Sequence, residues 1–135
     1  MIKLFIGAKG SGKTKTLIDL VNNAASNSKG SVVCIGRDKR FVYDLKPEVR
    51  LVEISHFKIL DLDMMLGFLC GVISQNFDIS HIFIDSILKI APGKIEELDA
   101  FFEELDAISE KFEVDFTITL SEDQSKATSK IKSYL

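Results

Sequence analysis

The sequence predicts an α/β protein: a three-layer α/β/α sandwich built around a mainly parallel, five-stranded sheet. Five short apolar segments, each of strand length, alternate along the chain with segments of helical periodicity. Such alternation is typical of a parallel sheet that is covered by helices on both faces. At 135 residues, the chain is expected to form a single domain over residues 1–135.

The first half of the chain is predicted to supply three strands and two helices. Residues 2–6 form a mostly apolar run that is typical of a buried parallel strand, and residues 16–25 carry an apolar helical face. Residues 31–35 are rich in β-branched side chains and predict the next strand, while the alternating residues 50–54 predict an outer strand. Residues 60–77 predict a helix. Its apolar face is expected to contain Leu62, Met65, Leu66, Leu69, Ile73 and Phe77.

The second half is predicted to supply two more strands and the clearest amphipathic helix. Residues 81–86 read as an apolar strand that ends in an aspartate, and residues 114–120 as the last strand. Between them, residues 94–112 predict a helix. Its apolar stripe is Ile95, Leu98, Phe102, Leu105, Ile108 and Phe112. Ser121 is a candidate cap for a final polar helix.

The strongest functional signal lies between the first strand and the first helix. Residues 7–14 read Gly-Ala-Lys-Gly-Ser-Gly-Lys-Thr and match the phosphate-binding pattern G-x-x-x-x-G-K-[ST] at every position. Gly7 and Gly12 allow the backbone to curl so that its N–H groups point at anionic oxygens. Lys13 is expected to reach the β- and γ-phosphates of a nucleotide, and the Thr14 hydroxyl to hold Mg²⁺. The residues predicted to bind the nucleotide are Gly7, Ala8, Lys9, Gly10, Ser11, Gly12, Lys13, Thr14 and Lys15.

A second motif follows the fourth strand. Four strand residues precede Asp85, as in a Walker B segment, whose aspartate supports the Mg²⁺ shell in P-loop proteins. Thr14 and Asp85 are therefore the predicted metal-binding residues, and an ordinary aspartate at a strand end is the alternative.

The order of these segments resembles the RecA-like branch of the P-loop NTPases, which includes RecA and the circadian-clock KaiC ATPases. Those proteins have Asp-Ser at the point where this chain has Asp85-Ser86, and the resemblance covers most of residues 1–120. It implies a RecA-like core that binds ATP with Mg²⁺ and hydrolyses it. RecA-like proteins place a glutamate after their second strand. The matching residue is Asp38, which makes Asp38 the implied catalytic base, with a solvated loop charge as the alternative. Lys13 is the other implied catalytic residue.

Two alternatives to an ATPase are open at this stage. A small-molecule or nucleotide kinase would need an acceptor pocket, expected near Arg37 and Asp38. A non-catalytic nucleotide sensor or interaction module is suggested by Ser86, which stands where many Walker B segments carry glutamate. Thr119 and Ser121 are candidates for contacting a terminal phosphate. The alternative for them is a strand terminus and a helix cap.

Composition and missing motifs limit the binding partners that the sequence predicts. A net charge of −3 gives no indication of nucleic acid as a partner, and no apolar stretch is long enough to predict a membrane span. ATP is favoured over GTP because no Asn-Lys-x-Asp segment is present. Arg37 and Arg40 are expected either to be solvated or to contact phosphate. The phosphate could belong to a nucleotide bound by this chain, by a protein partner or by a second copy of the chain. Cys34 and Cys70 lie in apolar runs and are expected to be buried thiols, so a cytoplasmic location is predicted.

Overall fold

A computed structural model describes all residues from 1 to 135 and contains one five-stranded, all-parallel sheet flanked by helices. The strand order across the sheet is β1-β5-β4-β2-β3. The strands are β1 (Ile2–Gly7), β2 (Ser31–Gly36), β3 (Arg50–Glu53), β4 (Ile79–Ile84) and β5 (Asp115–Ser121). The predicted α/β class and strand number are confirmed, and β3 is an outer strand as expected. The sheet is fully rather than mainly parallel.

Five α-helices connect and cover these strands. They are α1 (Lys13–Asn27), α2 (Leu62–Ser74), α3 (Ile87–Ile90), α4 (Leu98–Phe112) and α5 (Ser129–Lys132). Short 3₁₀ turns occur at Ile54–His56, Ile95–Glu97 and Gln124–Lys126. Helix α1 begins at Lys13, directly after the glycine loop and earlier than predicted. No helix is both long and apolar enough to cross a membrane.

Alternating strand residues pack into two hydrophobic cores, one on each face of the sheet. Val33 and Ile35 of β2 join a cluster of 25 buried residues that includes the inner faces of α2 and α4. Val32 and Cys34 join a cluster of six on the other face, together with Leu17 of α1. The period of two along a strand explains this division, because successive side chains point to opposite faces. The sheet is therefore fixed from both sides, which gives its carboxyl edge a defined shape.

Several predictions about helix ends and caps are wrong. Phe77 is 95% exposed because α2 ends at Ser74, so the predicted apolar stripe does not extend to it. Phe112 is 46% exposed at the end of α4, whereas Phe101, which was not in the predicted stripe, is buried. Asp123, rather than Ser121, caps the turn after β5 by accepting a hydrogen bond from the Ser125 amide.

The two cysteines also differ from each other. Cys34 is buried in β2, as expected, and burial raises the pKa of its thiol to about 12. Cys70 is exposed on α2, which contradicts the prediction that both are buried. The apolar neighbours of Cys70 in the sequence belong to other faces of the same helix, so an apolar run did not imply burial at every position.

Candidate functional site

The glycine loop between β1 and α1 contains two residues that require glycine. Gly10 and Gly12 have φ values of 86° and 88°, in the left-handed region that side chains disfavour. Gly7 does not share this conformation. A Cβ placed on it would lie 2.6 Å from the Ser11 Oγ atom, so a side chain at residue 7 would require the Ser11 hydroxyl to move. The prediction of a backbone conformation that favours glycine is therefore confirmed at Gly12, extends to Gly10, and is wrong at Gly7.

The Lys13 side chain folds back over this loop. Its Nζ atom donates hydrogen bonds to the Ala8 carbonyl at 2.9 Å and to the Ser11 hydroxyl at 3.3 Å. Partial burial and the nearby charge of Lys89 lower the pKa of Lys13, and the Asp85 carboxylate opposes that shift. The ammonium group is thus held above the loop by acceptors of the loop itself.

Thr14 and Asp85, which the sequence predicts as metal-binding residues, lie side by side. The Thr14 Oγ1 atom donates a hydrogen bond to the Asp85 Oδ1 atom at 3.4 Å. Asp85 is 7% exposed at the end of β4, and its backbone N–H donates to the Ile35 carbonyl at 3.0 Å. The fold therefore brings a hydroxyl and a carboxylate together from positions far apart in the sequence.

Thr119 of β5 forms a hydrogen bond with the Asp85 carboxylate. β5 lies between β1 and β4, and the Thr119 hydroxyl donates to Asp85 Oδ1 at 3.0 Å. The same hydroxyl accepts a hydrogen bond from the Ser86 backbone N–H at 2.7 Å. Thr119 is completely buried, which favours the alternative of a structural strand terminus over a contact with a terminal phosphate. Its two hydrogen bonds instead fix the positions of Asp85 and Ser86.

Ser86 adopts an uncommon backbone conformation. Its φ of 54° and ψ of 65° place a residue with a side chain in the left-handed region, where such strain is typical of functional sites. Its Oγ atom lies 3.5 Å from the Ser121 Oγ atom at the end of β5. Both serines line the same cavity, so Ser121, a candidate for a phosphate contact or a cap, lies at the site.

A cavity of about 420 Å³ lies at the carboxyl edge of the sheet, and Lys13, Thr14, Asp85, Ser86 and Ser121 are among the residues that line it. Parallel α/β sheets usually bind their ligands at this edge. Asp85 is the one carboxylate in the lining, and five cationic side chains surround it: Lys9, Lys13, Arg37, Arg40 and Lys89. Because the whole chain carries a net charge of −3, this concentration of positive charge is local. The cavity is therefore suited to a polyanion.

The predicted nucleotide-binding residues differ in how they face this cavity. Lys9, Gly10, Gly12, Lys13 and Thr14 line it. The remaining four predicted residues, which do not, are Gly7, Ala8, Ser11 and Lys15. Ala8 and Ser11 instead bind the Lys13 ammonium, and Lys15 lies in an adjoining groove along α1 with Thr14 and Arg40. Lys89 was missed because no motif marks it. The one sequence signal for Lys89 was its position three residues after Ser86, about one helical turn from the predicted Walker B segment.

Asp38, the implied catalytic base, lies outside the cavity lining and is paired with Arg40. The Arg40 Nε atom donates to Asp38 Oδ1 at 3.0 Å, and Nη2 donates to Oδ2 at 3.1 Å. These hydrogen bonds lower the pKa of the Asp38 carboxyl below its ordinary value. Asp38 is therefore engaged by Arg40 in this structure, and its role as a base stays a prediction.

No protein-family model matches the chain, and no curated protein matches it significantly.

Proposed function

We propose that this chain is an ATP-binding protein with a RecA-like P-loop core, and that Mg²⁺-dependent ATP hydrolysis is its reaction. The observation that carries the proposal is the contact of Thr14 with Asp85, at 3.4 Å, directly beside the glycine loop. A hydroxyl and a carboxylate at this position are the protein ligands that P-loop NTPases use for Mg²⁺.

The start of α1 supports phosphate binding. Gly12 is the residue before the helix, no side chain caps the first turn, and that turn contains no acidic residue. The first N–H groups of a helix have no partner within the helix, and the helix dipole favours negative charge there. Phosphate oxygens are the ligands that such an end accepts. Lys13 adds a positive charge above the same loop.

A Mg²⁺ ion in a phosphate-binding site needs few ligands from the protein. Mg²⁺ in phosphate sites is commonly held by one or two protein oxygens, with phosphates and water completing its shell. No group of three or more His, Cys, Asp or Glu side chains is arranged to hold a metal. Thr14 and Asp85 are the residues that would hold Mg²⁺, which would neutralise charge on the phosphate oxygens.

A second candidate function, a nucleotide sensor that does not cleave ATP, is favoured by one specific observation. Asp85 is the single carboxylate in the cavity lining, and the Asp38 carboxylate, which does not line the cavity, is bound by Arg40. A general base must reach the proton that it accepts, and a lowered pKa makes a carboxylate a weaker base. For hydrolysis, Asp38 must therefore leave Arg40 and turn towards the cavity.

Phosphate release by the wild type separates these two candidates, and the variant Asp38→Asn tests the implied base. If Asp38 is the base, the variant should release phosphate from ATP about 100-fold more slowly than wild type, since it cannot accept the proton. ATP-induced thermal stabilisation should persist, because Asp38 does not line the cavity. Phosphate release and melting temperature are measured on the same samples, with Asp63→Asn on α2 as the matched control.

Three results would change the assignment. Unchanged phosphate release in Asp38→Asn would remove Asp38 as the base. Wild type that binds ATP but releases no phosphate would support the sensor. Phosphate that appears on an added acceptor, and not in solution, would favour the kinase alternative.

A further inference from the structure

Lys89 is a cation of the cavity wall that has no partner within the chain. It lies on α3, and its backbone N–H donates to the Ser86 carbonyl at 2.9 Å. Its side chain is exposed and lines the cavity, and it takes part in none of the side-chain hydrogen bonds or the four salt bridges of the structure. Lys13, by contrast, is bound to its own loop.

The two lysines belong to opposite walls of the cavity. Lys13 follows β1, while Lys89 follows β4, and β5 separates these two strands. Neighbouring strands lie about 4.8 Å apart, so the two walls are roughly 10 Å apart at the sheet edge. Partial burial and, after it, the charge of Lys89 lower the pKa of Lys13. No carboxylate other than Asp85 lines the cavity to offset this repulsion.

The Lys89 side chain is supported by a fixed backbone. Ser86 directly precedes α3 in the left-handed conformation, and its amide donates a hydrogen bond to the buried Thr119 hydroxyl at 2.7 Å. Ile87 and Ile90 of the same short helix are buried in the large core. The backbone that carries Lys89 is therefore anchored on both sides, while its ammonium group is directed to the anion-binding space.

We propose that Lys89 binds the terminal phosphate of the nucleotide and so makes the site selective for a nucleoside triphosphate over a diphosphate. This inference rests on the proposed function. The glycine loop and Lys13 hold the phosphates on the β1 side. A chain of three phosphates extends further towards the β4 wall than a chain of two. Only the longer ligand then neutralises Lys89.

The test measures ATP and ADP affinities by calorimetry, in Mg²⁺, for wild type and the variant Lys89→Gln. One ion pair with phosphate should be lost, so ATP affinity is expected to fall about tenfold. ADP affinity should change less than about twofold by the same reasoning. Lys89→Arg should restore most of the ATP affinity because it keeps the charge. Lys29→Gln makes the same charge change at the opposite end of the sheet and should leave both affinities unaltered.

The outcomes are distinct. An equal loss of ATP and ADP affinity in Lys89→Gln would contradict the inference, because Lys89 would then act only as a general positive charge. Unchanged affinity for both nucleotides would contradict it as well. If wild type binds neither nucleotide, the proposed function itself fails, and the inference fails with it.

Discussion

Replacing Lys13 with alanine is expected to abolish the rise in melting temperature that ATP with Mg²⁺ gives to the wild-type protein. A ligand that binds only the folded state stabilises it by about 2.7 kcal/mol at 100 times its dissociation constant. Lys13 is the cation held directly over the glycine loop, by Ala8 and Ser11, so its loss removes the charge nearest to the expected phosphates. The measurement is a thermal melt over a series of ATP concentrations.

The control for this variant is Lys29→Ala, at the end of the sheet away from the cavity, which should keep the full ATP-induced shift. The Lys13 variant without ligand should melt close to wild type, because its partly exposed side chain adds little packing. If Lys13→Ala retains the ATP-induced shift, the nucleotide site has been assigned to the wrong part of the chain.

The second large effect is expected from Thr119→Val, which removes a hydroxyl and keeps the shape of the side chain. Thr119 donates to Asp85 at 3.0 Å and accepts from the Ser86 amide, so its loss frees the carboxylate to move. Removing a group that orients a metal ligand typically weakens metal affinity about 10- to 100-fold. The Mg²⁺ concentration that gives half of the ATP-induced stabilisation should rise by that factor.

Thr119→Ser provides the matched comparison, since it keeps the hydroxyl and should retain a Mg²⁺ dependence near that of wild type. The melting temperature of each variant without ligand shows separately how much stability the buried hydrogen bonds contribute. A Mg²⁺ dependence that is the same in Thr119→Val and wild type would show that Thr119 has no positioning role.

The architecture was predictable because its signals are local in the sequence. Each strand is a short apolar run, and burial on both faces of a parallel sheet requires such runs. The helix ends were less predictable. The apolar spacing that includes Phe77 continues past Ser74, where α2 ends, and periodicity contains no information about where a helix stops. The exposure of Cys70 has a different origin, because Cys70 lies within α2 but off the buried face that contains Met65 and Leu69.

Some residues of the candidate site were likewise predictable from local sequence patterns, and others were not. The glycine loop, Lys13 and Thr14 are contiguous, so a sequence pattern was sufficient to identify them. Lys89 and the buried role of Thr119 depend on β5 lying between β1 and β4, which no short pattern contains. The pairing of Asp38 with Arg40 depends on side-chain conformation in a loop. The Thr14–Asp85 contact was the exception, because each of its two residues belongs to a motif of its own.

The most direct test of the central claim is a calorimetric titration of the wild-type protein with ATP, in Mg²⁺ and again in a chelator. The contact between Thr14 and Asp85 beside the glycine loop predicts saturable binding of one ATP per chain, with higher affinity when Mg²⁺ is present. The absence of saturable ATP binding in Mg²⁺ would contradict the account.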